Sequence, residues 1–544
     1  MIFAYLTPVP AAWPQPLDPL HSVVLSAAVA TIPLIVVLVL MGGLRKSGLF
    51  ASACGLGTAA ILAGAVWRMP MALASWSVLY GFAYATWSIL WLVLCALWLY
   101  NLTVSTGSFD QLRQWVQGHA SSDACVQAIL VAFCFGALLE GTAGFGSPIA
   151  ITAFLLVGLG FNARKAVVIA LLANTAPVAF GAVGIPIIAL SGVTGLDVLK
   201  LSAMAGRQLP FLSLILPMYL VLVVAGGKGL RRSWPAALVA GVSFGGVQFL
   251  ISNLWGPYAT DILSSLISIV ALVLFLQVWR PRREGRAMES HPSSGASQGR
   301  FFSGSTLSAW APWAILAAVM VTWSLFKVSA WGQILMHIPM LHNGVFITLY
   351  QRSYTAIFSF QPLSTGTGVL AATIIVALCF RVHPRSFFEA GGRTLRQLRV
   401  PGLTVLFIVG LAYLYNYSGM AYTLGAAVAR VGGVFPLVSS YLGWVACFLS
   451  GSDTAANLLF GNLQVAAAHQ LHLNPLLLAA TNSSGAVAGK MISPQNIAVG
   501  VTTVGLIGQE GKVLHSTFWH SVLFAGLLGL IALLQANALP GMVP

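Results

Sequence analysis

VQAILVAFCFGALLEGTAGFGSPIAITAFLLVGLG, residues 126–160, is apolar enough to enter a membrane, yet its centre holds a glutamate among glycines: Leu139-Glu140-Gly141-Thr142-Ala143-Gly144-Phe145-Gly146-Ser147-Pro148. It is too long for a single crossing, which takes about 20 residues. Basic residues flank it on both sides, Arg113 before it and Arg164 and Lys165 after it. Lys and Arg gather in inner loops, so both ends of the segment are expected inside. It must then cross an even number of times or turn back as a re-entrant hairpin. Glycine-rich, irregular backbone at that depth is tolerated where it is buried in protein or lines a wet cavity.

The rest of the chain supports a membrane setting. Hydrophobic residues make up 58% of 544 positions and charged residues 7%, against about 25% charge in a soluble domain. The net charge of +15 would suggest a nucleic-acid partner in a soluble protein. Here the basic residues sit in short loops between apolar runs, with no basic face interleaved with aromatics, so no nucleic-acid role is expected. Cys54, Cys95, Cys125, Cys134, Cys379 and Cys447 form no CxxC or metal-ligand spacing. His469 and His472 lack a nearby carboxylate, so no metal is expected there. Trp67, Trp76, Trp98, Trp234 and Trp310 lie near span ends, as an aromatic belt would. The first 20 residues carry no Lys or Arg and do not read as a cleaved signal peptide.

Counting spans against the basic loops gives an all-α polytopic membrane protein with about 12 spanning helices plus two re-entrant helical hairpins. Residues 1–226 form a first repeat: three spans, hairpin 126–160, two spans. Two connecting spans occupy 227–280. A Ser- and Gly-rich cytoplasmic linker covers 281–306, after the cluster Arg280, Arg282, Arg283 and Arg286. Residues 307–544 form a second repeat: three spans, hairpin 436–470, two spans. The stretch 327–363 is mixed and expected outside, with room for a surface helix. Each half makes an odd number of net crossings, so the second is inverted relative to the first. Asn174 and Pro186 are twelve apart, as are Asn482 and Pro494, with Gly181 and Gly489 at the same place between them. Inverted repeats with interrupted helices recur in secondary transporters, with substrate near the midplane.

Four stretches are expected to be irregular: 139–148, Asn174-Thr175-Ala176-Pro177, Ser450-Gly451-Ser452-Asp453-Thr454, and Thr481-Asn482-Ser483-Ser484-Gly485. A broken helix offers unpaired N–H groups and a positive dipole end, which suit a carboxylate. Asn174, Thr175, Asn482, Ser483 and Ser484 add neutral donors, so these residues and Lys490 are the expected substrate contacts. Small residues of this kind also serve close helix packing. Glu140 and Asp453 are intramembrane acids and hence candidates for proton coupling. The plainer alternatives are a cap for Asp453 at the helix starting at Thr454, and an ion pair with a basic residue for Glu140. Lys490 reads either as a substrate counter-ion or as a snorkelling lysine. Arg207, before Pro210, reads as a flank. The carboxylate pairs and His–Asp clusters of membrane enzymes do not appear, so no enzyme and no cofactor are expected.

The strings FGALLEGTAGFGSPIAI (135–151), NTAPVAFGAVGIPI (174–187), GRQLPF (206–211), NYSG (416–419), GSDTAANLLF (451–460) and GKMISPQNIAVG (489–500) resemble the bacterial L-lactate permease family along nearly the whole chain. Residues 281–306 and 327–363 match least. The resemblance implies uptake of L-lactate, with glycolate as a further substrate, by proton symport in the bacterial inner membrane. It also implies an ion-transporter-like architecture in which two hairpins and two broken helices build the site. Partners are then a small carboxylate anion, a proton and membrane lipid, with a homo-oligomer left open. The alternatives are another small carboxylate as cargo, or sodium in place of the proton.

Overall fold

The computed structural model describes residues 12–44, 46–119, 123–144, 146–279 and 304–544. The expected linker therefore falls outside the described residues, apart from 304–306. Side chains with oxygen acceptors start many helices. Ser22 caps α1 (Val23–Leu38) and Ser47 caps α2 (Gly48–Ala65), each accepting from an N–H three residues on. A π-helical turn, Ala85–Leu90, joins α3 (Met71–Tyr84) to α4 (Trp91–Ser105). In α5 (Ser108–His119), Phe109, Leu112 and Trp115 are buried while Asp110 and Gln111 are exposed, a three-residue spacing that lays one face on the bundle.

Asp123 caps α6 (Ala124–Gln127), which runs through a π-helical segment, Ala128–Phe135, into α7 (Gly136–Thr142). Gly144 and Gly146, both at positive φ, then break the helix before α8 (Ser147–Gly158). Next come α9 (Ala163–Ala173) and α10 (Gly181–Thr194), bent by 65°. The first residues assigned to α10 are not helical: Ala182, Val183 and Gly184 all have positive φ. After α11 (Val198–Ala205), the 46 residues of α12 (Leu209–Leu254) reverse direction at Gly226, φ 64°. The two arms pack antiparallel: Gly241 faces Leu214, where a methyl would stand 2.4 Å from Leu214 O, and Gly245 faces Pro210. Following α13 (Thr260–Val278) are α14 (Gly304–Leu325), α15 (Thr365–Cys379), α16 (Pro384–Ser418) and α17 (Met420–Val428).

A second broken pair follows. In it α18 (Phe435–Ser450) meets α19 (Asp453–Gln470) at Gly451, φ 72°. Beyond it lie α20 (Pro475–Lys490), α21 (Pro494–Thr503) and α22 (Glu510–Asn537). The contact of α18 with α20 is backbone on backbone. A methyl at Gly443 would stand 2.0 Å from Asn482 O, and one at Gly485 2.0 Å from Ser440 O. Gly485 and Gly489 thus make a small-xxx-small face.

Among the described residues, nine helices are long and apolar enough to cross a membrane, ten if the bent pair α9 and α10 is one span. The chain is a multi-pass, predominantly helical membrane protein. Length and composition alone do not return the count of twelve. Val198–Leu254 passes as one stretch of 57 residues although it reverses at Gly226, and Ala309–Leu325 and Thr365–Cys379 are shorter apolar helices.

Two expectations need correction. The all-α reading misses a small β element, most of which lies in the stretch 327–363, where the sequence left room for a surface helix. The strands are β1 (Trp13–Pro14), β2 (Ile334–His337), β3 (Val345–Ile347), β4 (Arg352–Ser353) and β5 (Ile357–Phe360). β1 runs parallel to β3, β3 pairs antiparallel with β4, and β2 pairs antiparallel with β5, Ile334 opposite Phe360. β-branched and aromatic residues broken by positive-φ Met340, Asn343 and Gln351 favour short strands over a helix. The second correction concerns Thr481–Gly485, which lies within an unbroken helix. The break expected there falls later, at Met491–Ser493, where Pro494 starts α21.

Candidate functional site

Burial of charge locates the site. Lys490, the last residue of α20, donates from Nζ to Glu140 Oε1 at 2.6 Å; the side chains are 8% and 5% exposed. Glu140 is on α7, just before the first break. Asn174 Nδ2, at the C-cap of α9, donates to Glu140 Oε2 at 2.9 Å. Gly181 gives the carboxylate room: a methyl there would lie 2.8 Å from Oε1. Three interrupted elements therefore meet at one ion pair.

The second broken pair closes on the same place. Asn496 Nδ2 donates to Lys490 O at 3.3 Å and to Gly451 O at 3.0 Å, tying the α18–α19 break to the α20–α21 break. Gly146, in the α7–α8 break, lies across from Asn496 Oδ1, and Gly451 lies against Gln495 and Ser493. Asp453, first residue of α19, accepts from Ser483 Oγ at 2.9 Å. The cap of α19 is Ser452, which accepts from Ala455 N, so Asp453 does not do the capping considered for it. Asn174 Oδ1, Asp453 Oδ1 and Ser493 Oγ are buried with no hydrogen-bond partner in the protein. Buried polar atoms are usually paired. Asn174 Oδ1 and Asp453 Oδ1 are acceptors and Ser493 Oγ can also donate, so the set suits a hydroxyl-bearing ligand, while Lys490 is the group that attracts a carboxylate.

A scaffold of amides stands behind. Asn457 Nδ2 donates to Ser483 Oγ at 3.0 Å and Pro186 O at 3.2 Å, joining α19, α20 and α10. Asn482 donates to Asn457 Oδ1 at 3.0 Å, and Gln464 donates to Asn482 Oδ1 at 3.2 Å. Ser484 donates to Gln208 Oε1 at 2.7 Å, and Gln208 Nε2 donates to Thr481 and Gln535. Thr175 Oγ1, just past α9, donates back to Leu171 O of that helix. Of the residues expected to contact substrate, Asn174, Ser483 and Lys490 gather with Glu140 and Asp453 around the meeting point. Asn482 and Ser484 bond within the scaffold, and Thr175 bonds back to α9. Arg207 fastens the C-terminal end, bonding Asn253 Oδ1 and Met542 O.

Sequence reading passed over Asn457, Gln464, Ser493 and Asn496, although amides within the apolar run 453–470 were a legible signal. It also passed over Asp261, a buried acid in the first turn of α13 that is 1% exposed.

The model of the family described as L-lactate permease matches residues 26–539. The chain is 42% identical over 556 residues to the glycolate permease GlcA of Escherichia coli (strain K12), covering 98% of this chain and 99% of that one. It is 38% identical over 549 residues to an L-lactate permease of Salmonella typhimurium, covering 98% and 100%. Among solved structures it is similar to the YdaH transporter of Alcanivorax borkumensis, at 14% identity and a TM-score of 0.45 over 84% of this chain and 87% of that one.

Proposed function

We propose that this chain, which belongs to the L-lactate permease family and is a transporter rather than an enzyme, takes up L-lactate and related 2-hydroxy monocarboxylates such as glycolate by proton symport across a bacterial cytoplasmic membrane. The relatives' names support the substrate class. The buried Glu140–Lys490 pair carries the mechanism.

In the empty site the lysine is neutralised by the protein's own carboxylate. A substrate carboxylate entering there competes for the Lys490 ammonium. Glu140, losing its cation in a buried place, takes a proton, since an unpaired buried charge is strongly disfavoured. One anion and one proton then occupy the site together, with no net charge added. Driving a lone anion inward against an inside-negative potential costs about 2.3 kcal/mol per 100 mV; the proton cancels that cost and adds the pH gradient. Asn174 Oδ1 and Ser493 Oγ, buried without partners, would meet the 2-hydroxyl that lactate and glycolate share. Asp453 is the second acid of the site, within the field of Lys490 and Glu140.

In this reading the segments 126–160 and 436–470 are re-entrant hairpins of two inverted repeats, 1–226 and 307–544, flanking the connecting helices of 227–280. The matching order supports it: each half has a broken pair followed by a second interrupted helix, α9–α10 in one and α20–α21 in the other. Purified protein in proteoliposomes tests the coupling. Lactate uptake should follow an imposed pH gradient and ignore a sodium gradient. Uptake that follows sodium and not pH would refute the proton.

A further inference from the structure

Asp261 has no role in the exchange just described, yet it lies beside it. The backbone of α7 presses on it at Gly141, next to Glu140; a methyl on that glycine would stand 2.9 Å from Asp261 Cβ and 3.2 Å from Ile262 N. From the other side, the left-handed turn that opens α10 packs its Gly184 on Pro257, in the loop leading into α13. The residue is 1% exposed, its carboxylate forms no salt bridge among the described residues, and the Gln248 amide is the polar side chain that acts on it as a donor. Glu140 and Lys490 are the charged groups acting on it. Gln248 of α12 lies alongside, with its amide donating to Ala176 O and its carbonyl accepting from Ser213. Neither α10 nor α14 contributes a titratable residue. The π-helical segment before α7 contributes Cys134, which faces Ser268 further along α13.

A buried carboxyl group in this position must be matched by a bound cation or by a proton of its own. Lys490 is already engaged with Glu140, at 2.6 Å. We infer that Asp261 is a proton-binding site that supplies Glu140, forming with it a two-carboxyl relay beside the substrate. Arrival of the substrate at Lys490 leaves Glu140 without its cation. The proton held by Asp261 passes to Glu140, and Asp261 is reloaded from the medium, so one proton is gained per anion bound. The relay places part of the coupling on α13, a helix between the two repeats.

The inference rests on the proton-symport reading, and one set of measurements separates the two. Wild-type protein in proteoliposomes should accumulate lactate about tenfold for each unit of pH gradient, the limit for one proton per anion. Absence of that response in the wild type overturns the symport reading itself. Given that response, Asp261→Asn should abolish pH-driven accumulation while lactate–lactate counterflow persists. It should also abolish the proton uptake that accompanies lactate binding in unbuffered detergent solution. An Asp261→Asn protein that accumulates lactate like the wild type overturns the relay. If that variant fails to fold, Asp261→Glu decides: a displaced midpoint in the pH profile of driven uptake supports the relay, and an unchanged midpoint overturns it.

Discussion

Removing the ammonium of Lys490 tests the ion pair as both a structural and a functional element. Lys490→Met keeps most of the side-chain volume and leaves Glu140 buried, with Asn174 as its remaining donor. Stripping one partner from a buried pair costs about 3–5 kcal/mol, because the surviving charge is uncompensated. The burial here, 8% and 5%, puts the pair in that class and not among solvent-screened ones, worth about 0–1 kcal/mol. Glu140→Gln should cost a similar amount by stranding the ammonium. The double variant carries neither charge, and replacing both members of a buried pair by neutral groups is often close to neutral. Reversible unfolding in mixed micelles should therefore show the double variant more stable than either single one, with a coupling of at least about 2 kcal/mol. Lactate uptake should be absent from all three, so the double variant is folded and inactive. Single effects that add to within about 0.5 kcal/mol would refute the claim that the two charges depend on each other.

Gly485→Ala should destabilise the protein by about 3 kcal/mol or more, since its methyl would lie 2.0 Å from Ser440 O. Gly57→Ala, with nothing within 4 Å of the new methyl, should be neutral or slightly stabilising; thermal unfolding of both variants checks the contrast. Asn174→Leu takes a donor from Glu140 and an acceptor from the site, and should raise the KM for lactate about tenfold, the scale of one hydrogen bond to a charged group; initial rates of uptake would show an unchanged KM if the residue faces away from substrate.

The two broken segments were legible because breaking a helix needs particular residues. Gly146 and Gly451 stand at positive φ where the sequence shows glycine in apolar surroundings, and the segments 126–160 and 436–470 coincide with α6–α8 and α18–α19 to within two residues at each end. The Thr481–Gly485 run misled for a physical reason. Asn482 and Ser484 satisfy their polar atoms across helix contacts, through Asn457 and Gln208, so the helix continues beneath them. Partners distant in sequence hid the rest. Lys490 meets an acid 350 positions away, and β3 forms its sheet with Trp13 and Pro14. An aspartate in the first turn of an apolar helix resembles an ordinary partner of the helix dipole, so Asp261 attracted no notice until its neighbours were known.

A neutral site of Asn and Ser donors alone could bind a monocarboxylate and carry its charge through the membrane field. A lone buried lysine would bind the anion well but would return empty as a cation. Pairing that lysine with an internal glutamate changes both halves of the cycle. In the proposed cycle the Glu140–Lys490 pair is neutral in the empty carrier, and it stays neutral in the loaded one, where the substrate takes the ammonium and Glu140 holds a proton. Reorientation then moves no net charge at the site in either direction, and the intermediate with anion but no proton is disfavoured by roughly the several kcal/mol of an unpaired buried charge. In that cycle coupling follows from what the site cannot accommodate, and a proton source close to Glu140 but outside the anion's own contacts would serve it. Asp261, packed against α7 at Gly141, is the source inferred above.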